Sequence, residues 1–203
     1  MEVNTLWVTP AIASSFKDAQ VISAQDMQSI SALKTAPGVL AICKQPEETV
    51  FQDDGFTLVL DAVRDPGNLG TIIRLCDWFN IKQILCSEDT VDCFNAKVVQ
   101  ATMGSLARVK VFYRDLGPLL QNTSHPVYAS SLEGNSLYDI GLPETGYLVM
   151  GSESHGVSQS LMALATTKVS IPRNVSTTNG PESLNVAVAT SIFLSERFRL
   201  IGK

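Results

Sequence analysis

The polar residues best placed to do chemistry lie in three short stretches. The first, Val59–Arg74, reads Val-Leu-Asp-Ala-Val-Arg-Asp-Pro-Gly-Asn-Leu-Gly-Thr-Ile-Ile-Arg. An apolar strand runs into a polar turn, and Asn68 stands where a helix should open. Pro66-Gly67 forces a tight turn, and Asn68 can cap the helix beginning at Leu69 through its side chain. Arg74 belongs either to a solvated helix face or beside a phosphate or a reacting hydroxyl. Its guanidinium keeps its charge at neutral pH, so service as a base would need an unusual environment.

The second stretch is Leu-Val-Met-Gly-Ser-Glu-Ser-His-Gly-Val, from Leu148 to Val157. An apolar strand ends at Gly151, where backbone can approach a ligand closely. Glu153 follows at the strand's C-terminal edge, where it could serve the site or cap the helix starting at Ser158. The glycine spacing of a dinucleotide fingerprint is absent, and so is the Gly-Lys-Ser/Thr of a phosphate loop. His155 has no partner visible in the sequence, so an incidental loop histidine is the first expectation for it. The third stretch runs from Ile171-Pro172 to Ser183-Leu184-Asn185-Val186. Ser183 reads as a helix N-cap, with Glu182 just before it. Asn185 is harder to explain by structure alone, because it is a poor helix former placed before an apolar run.

These stretches need rigid elements to hold them. From Phe56 onward, apolar runs alternate with helical patterns. Strands are predicted at Phe56–Leu60, Gln83–Cys86, Arg108–Phe112, Val127–Ser130, Gly146–Met150 and Lys168–Ile171. Helices are predicted at Leu69–Phe79, Ala96–Leu106, Leu116–Asn122, Ser158–Leu164 and Ser183–Arg199. Such alternation implies an α/β fold with a mostly parallel sheet and helices on both faces. Leu69, Ile72, Ile73, Cys76 and Phe79 follow helical spacing and should face the sheet, with Arg74 pointing away. The first 55 residues differ: a strand at Leu6–Val8, a helix near Ala24–Leu33, a strand at Val39–Ile42, then a linker over Cys43–Gly55. This region, residues 1–55, is too small to bury a core well by itself and reads as a partial accessory domain beside residues 56–203.

The bulk properties exclude several classes. The chain has 203 residues, 45% of them apolar, and a formal net charge of −5. No apolar run reaches the length of a membrane span, and the N-terminus lacks the pattern of a signal peptide. Cys43, Cys76, Cys86 and Cys93 form no CxxC pair, and His125 and His155 are the only histidines. No metal site is therefore expected, and reduced thiols in a cytoplasmic protein are the natural reading. The acidic total argues mildly against nucleic acid. Arg64, Arg74, Lys97, Arg108, Lys110 and Arg114 nevertheless gather in the middle of the chain, and local patches decide binding better than totals.

Taken together, the ordered trio Asp-Pro-Gly-Asn-Leu-Gly…Arg, Gly-Ser-Glu-x-x-Gly and Ile-Pro…Ser-Leu-Asn-Val resembles the SpoU branch of the SPOUT methyltransferases, the TrmH-type RNA ribose methyltransferases. The match runs from Phe56 to Arg199. The resemblance implies a C-terminal trefoil knot, an exception to the usual avoidance of knots, and S-adenosylmethionine bound largely through backbone groups. It places Ser130, Gly151, Ile171 and Leu184 around that cofactor, and Asn68, Arg74, Glu153, Ser183 and Asn185 in the active site. It implies a homodimer whose subunits share catalytic groups, rRNA or tRNA as substrate, and methyl transfer to a ribose 2′-hydroxyl without a metal. Arg74 would activate the hydroxyl, and Asn68, Glu153 and Asn185 would position it. The chain departs from the family pattern in a longer stretch between Pro172 and Ser183, which bears on one wall of the cofactor pocket, and in a shortened N-terminal region. The shortening and the acidic balance motivate a second reading, an RNA-binding relative that no longer methylates; a third is a generic α/β enzyme using another nucleotide, against which the missing phosphate-loop glycines argue.

Overall fold

The computed structural model describes residues 2–47, 49–173 and 182–202. The chain forms two compact units, residues 1–50 and 51–203. In the smaller, β1 (Val3–Val8) pairs in parallel with the two-residue β2 (Gln20–Val21) and antiparallel with β3 (Val39–Cys43). Helix α1 (Ala24–Ile30) opens on Ser23, whose hydroxyl accepts the Asp26 amide at 3.0 Å. Val8 and Met27 are its fully buried apolar side chains among the described residues, a core of very modest size.

The larger unit alternates strands and helices: β4 (Phe56–Asp61), α2 (Pro66–Trp78), β5 (Gln83–Cys86), α3 (Ala96–Ala101), β6 (Lys110–Tyr113), α4 (Leu116–Asn122), β7 (Val127–Ser136), α5 (Leu137–Ile140), β8 (Gly146–Gly151), α6 (Gln159–Met162), β9 (Thr167–Ser170) and α7 (Val186–Ile201). The sheet order is β6-β5-β4-β8-β7-β9, and every pairing is parallel. All six residues of β4 and of β8 are buried, as expected for central strands covered on both faces. The period-two alternation sorts their side chains. Leu58, Leu60, Ile84, Cys86, Leu148 and Met150 pack with α2, α3, α5 and α7, while Val59, Leu85, Phe112, Val149 and Ala129 pack with α4 and α6.

Helix α2 carries the first motif. Asp65 is its N-cap, its carboxylate accepting the Asn68 amide at 2.8 Å, and Pro66 occupies the first turn, where no N–H is needed. The expectation that Asn68 caps this helix is therefore corrected: a carboxylate at the positive end of the helix dipole does so, and the Asn68 amide is left for other partners. Gly70 is required by a close crossing, since a Cβ there would lie 2.4 Å from that of Ala101 on α3.

Three other boundaries moved. The helix predicted over Ala96–Leu106 stops at Ala101, because Met103 and Gly104 take left-handed φ values of 51° and 87°. Strand β7 extends past Ser130 to Ser136 through a register shift: both Ser130 and Asn135 pair with Val169, and residues 131–134 loop out between them. Residues 51–55, predicted as linker, are fastened to the larger unit. Phe51 packs edge-on against Phe112 at 5.6 Å, the Gln52 carbonyl accepts from the Gln83 amide, and the Asp53 carboxylate accepts from Tyr147 and Thr123.

Candidate active site

In an open parallel sheet, ligands gather outside the carboxyl ends of the strands where the strand order reverses. Here that point lies between β4 and β8: the chain first builds outward from β4 to β5 and β6, then returns to the other side of β4. Asp61, ending β4, sits in register with Gly151, ending β8. The segments leaving these two strands carry Asn68 and Glu153, and α7 begins nearby with Asn185.

The three side chains form a closed hydrogen-bonded triangle. Asn68 donates to Glu153 Oε1 at 3.0 Å, and Asn185 donates to Asn68 Oδ1 at 3.0 Å and to Glu153 Oε1. What orients the triangle is the cap of α7. Asn185 Oδ1 accepts the amides of Ala187 and Val188 at 3.0 and 3.2 Å, which fixes its amide plane and aims Nδ2 at the other two residues. The sequence reading put this cap at Ser183, which instead is exposed in a bend and makes no hydrogen bond among the described residues. Asparagine suits the position because its oxygen caps while the two hydrogens of Nδ2 reach two partners; a serine hydroxyl has a single hydrogen to donate. The alternative for Glu153, a cap on α6, is also displaced. Asp61 Oδ2 accepts the Ser158 amide at 2.7 Å, and Glu153 is engaged in the triangle.

The loop between β8 and α6 is tight by necessity. It folds back so that Ser152 and Gly156 form an isolated bridge, and a Cβ on Gly151 would fall 1.9 Å from the Gly156 carbonyl carbon. Only glycine fits. Asn68, Glu153, Asp61, Arg64 and His155 line a pocket of about 330 Å³ at this edge. His155 pairs with its neighbour, Ser154 Oγ to Nδ1, at 2.7 Å.

Arg74 is not part of that cluster. It projects from α2 into a separate groove of about 650 Å³ between α2, α5 and α7, beside Trp78, Phe79, Tyr138, Ile192 and Glu196. It is exposed and has no hydrogen bond or ion pair among the described residues. Helix geometry explains the separation: six residues advance about 9 Å and turn the side chain about 120° away from Asn68.

Of the residues expected around a cofactor, Ser130 lies in β7 opposite Val169, Gly151 ends β8, and Ile171 directly follows β9. Three adjacent parallel strands thus bring them to one edge. Leu184 is 46% exposed just ahead of α7, and Leu132, in the looped-out part of β7, is 78% exposed. Backbone polar groups at strand ends flanked by exposed leucines make a donor set that suits a ligand with a flat apolar ring and polar substituents. The longer stretch between Pro172 and Ser183 largely lies outside the described residues, since 174–181 are not among them. Two residues that the sequence reading left unassigned, Asp61 and Arg64, line the polar pocket. Their only signal was proximity to the Asp-Pro-Gly turn.

A model of the SpoU rRNA Methylase family matches residues 55–195. The chain belongs to this family. Among curated SpoU relatives, it is 30% identical over 178 residues to the 23S rRNA (guanosine(2553)-2′-O)-methyltransferase RlmP of Bacillus subtilis, covering 86% of this chain and 70% of the relative. Against several other curated relatives it spans 52% to 64% of their length. The structure of a TrmH-family protein from Porphyromonas gingivalis superposes with a TM-score of 0.86 at 37% identity, covering 98% of this chain and 83% of that one. An S-adenosylmethionine-bound rRNA methyltransferase from Sinorhizobium meliloti superposes at 0.81 and 27% identity, with 98% and 81% covered. No helix of this SpoU chain, among the described residues, is long and apolar enough to cross a membrane.

Proposed function

We propose that this chain is an S-adenosylmethionine-dependent methyltransferase acting on a ribose 2′-hydroxyl of rRNA or tRNA. The observation that carries this reading is the Asn68–Glu153–Asn185 triangle, assembled from three distant segments at the reversal point of the sheet. Family membership and the relatives' activities support it. Ser130, Gly151, Ile171 and Leu184 hold the cofactor, which supplies an electrophilic sulfonium methyl. The triangle presents Glu153 in one fixed orientation, with Oε1 saturated by two amides and Oε2 open toward the ribose. Ser183, exposed beside it, contributes a hydroxyl to the same edge. Arg74 orients the attacking hydroxyl and stabilises the charge that develops on its oxygen, a role suited to a group that stays protonated.

The separation of Arg74 from the triangle supports a homodimer in which each subunit lends its Arg74 to the other's site. The groove around Arg74 carries the aromatic surface such an interface needs, with Trp78 83% exposed and Tyr138 55% exposed. The sheet order β8-β7-β9, with β9 returning outside β7, supports a trefoil knot closing over the cofactor loops. Residues 1–50 act as an accessory RNA grip and residues 51–203 as the methyltransferase domain, in the cytoplasm. The decisive experiment combines the protein, methyl-labelled S-adenosylmethionine, and bulk rRNA and tRNA from cells lacking the gene. Label should enter RNA as alkali-resistant 2′-O-methyl dinucleotides; label confined to bases, or none at all, overturns the reading.

A further inference from the structure

We propose that the 330 Å³ pocket beside the triangle seats one RNA nucleotide, with Arg64 binding its phosphodiester and Asp61 accepting a hydrogen bond from its sugar or base. The inference rests on the functional reading above and assigns two residues that the family motif leaves without a role.

Arg64 is a surface side chain, 73% exposed, oriented by one ion pair. Its Nη2 donates to Asp89 Oδ2 at 2.7 Å, and Asp89 Oδ1 accepts from Ser87 Oγ at 2.7 Å. Ser87 Oγ in turn accepts the amide of Ala62 at 2.8 Å. Ala62 has φ of 57°, a left-handed conformation unfavourable for a non-glycine residue. A strained residue persists only where its surroundings hold it, and here it turns the chain so that Arg64 reaches the pocket mouth. Hydrogen bonds from Ser87 and then Arg64 hold the Asp89 carboxyl below its ordinary range, so the pair is ionic at neutral pH. Nη1 and Nε of Arg64 have no partner among the described residues and remain free for a second anion. A guanidinium with two free donors in a fixed fork is suited to a phosphodiester.

The pocket floor has the opposite character. Asp61 is 9% exposed, and Oδ2 is committed to the Ser158 amide. Oδ1 has no partner among the described residues, although the residue lines the pocket. A carboxylate oxygen so placed is an acceptor that a donor on a ligand can reach from the pocket. With Asp65 and Glu153 also lining the pocket, the interior repels anions. A ligand anionic at one end and rich in hydroxyl or amino donors at the other fits both halves, and a nucleotide within an RNA chain is such a ligand.

The test measures equilibrium binding of the full chain to bulk rRNA and tRNA from cells lacking the gene, across a salt series. Arg64→Ala should weaken binding about tenfold and make the dependence of log K on log salt shallower by about 0.7 to 0.9, one phosphate contact. Arg64→Lys should restore most of the slope. Asp61→Asn keeps an oxygen for the Ser158 amide but turns the free acceptor into a donor. It should weaken binding several-fold with the slope unchanged. Calorimetry should find S-adenosylmethionine affinity within about twofold of wild type for each variant, which separates substrate contact from local collapse. An Arg64→Ala chain with wild-type affinity and slope overturns the phosphate contact, and an unchanged Asp61→Asn chain overturns the floor contact. A wild-type chain that binds none of these RNAs overturns the inference outright. Methyl transfer, measured in parallel, reports on the functional reading alone.

Discussion

Helix α2 borders two cavities that differ in almost every respect. At its N-terminal end the smaller one is polar, lined by Asp61, Arg64, Asn68, Glu153 and His155, with side chains fixed by a dense set of hydrogen bonds. Farther along, the larger groove joins the apolar and aromatic Leu75, Trp78, Phe79, Tyr138 and Ile192 to Thr71, Ser191, Ser195 and Glu196, and its one cation, Arg74, has no partner among the described residues. Fixed polar groups suit a small ligand that must be oriented. An aromatic groove with a free arginine suits another protein surface, which would bring the missing partners with it. In the proposed homodimer, a single motif, Asn68 through Arg74, would contribute to one reaction while pointing in two directions, each residue completing a different subunit's site.

Arg74→Ala tests that division hardest. Methyl transfer should fall by about 10² to 10⁴, the range for loss of a group that acts on the reacting oxygen, while cofactor affinity measured by calorimetry stays within about twofold. A matching loss of cofactor affinity would place Arg74 in the cofactor pocket and erase the contrast. Mixing Arg74→Ala with Asn185→Ala subunits adds a sharper arm. If sites are shared, mixed dimers regain activity in one of their two sites; if each subunit works alone, mixing restores nothing.

Glu153→Gln comes next. It keeps an oxygen to accept from the two amides of the triangle but turns the open acceptor, Oε2, into a donor. A drop in kcat of about ten- to a hundredfold with an unchanged melting temperature is expected. Asn185→Ala should lower kcat comparably and also cost about 1 kcal/mol of stability, because the same oxygen caps α7. A variant of either residue with full activity would mean that the triangle is scaffolding.

Trp78→Glu acts on the groove alone. A charge on its largest exposed aromatic should weaken self-association at least about tenfold, seen by sedimentation equilibrium. Specific activity should then rise with protein concentration. A monomeric wild-type protein of full activity would dissolve the comparison with which the two cavities were set apart.

Much of this was legible in the residue pattern. Periodicity located the strands of residues 56–203 and its helices apart from the four-residue α5, because central parallel strands are continuous apolar runs and the longer helices bury a clear stripe. The motif residues were legible as a set, and Asn68, Glu153 and Asn185 do meet. What did not show was which side chain satisfies which helix end. Asp65 rather than Asn68 caps α2, and Asn185 rather than Ser183 caps α7, because a cap is decided by what else the side chain can reach, and those partners lie more than thirty residues away in sequence. The return of β7 to Val169 and the fastening of Phe51 to Phe112 were hidden for the same reason: each depends on a distant partner rather than on local pattern. The remoteness of Arg74 from the triangle follows from helix geometry and could have been read from its spacing.

The smallest effect distinguishes the two ends of α2 by pH. On the pocket side, Asp89 is held below its ordinary range by Ser87 and Arg64; on the groove side, Asp77 is held below it chiefly by its paired hydrogen bonds from Arg108, at 2.6 to 3.0 Å. A carboxylate with a depressed folded-state pKa adds stability that is fully present above its unfolded pKa, near 4, and is lost as pH falls through the folded value. Both pairs lie at the surface, where solvent screening keeps such contributions small. Asp77→Asn should therefore lower the melting temperature by only about 1 to 3 °C at pH 7, and the difference from wild type should vanish in strong acid, where both carry a neutral group. Because Asp77 anchors the half of α2 that bears Arg74 and Trp78, its loss should loosen self-association while leaving RNA affinity per site unchanged; Asp89→Asn should do the reverse. If both substitutions affect the same property, α2 responds as one rigid body and its two ends are not independent.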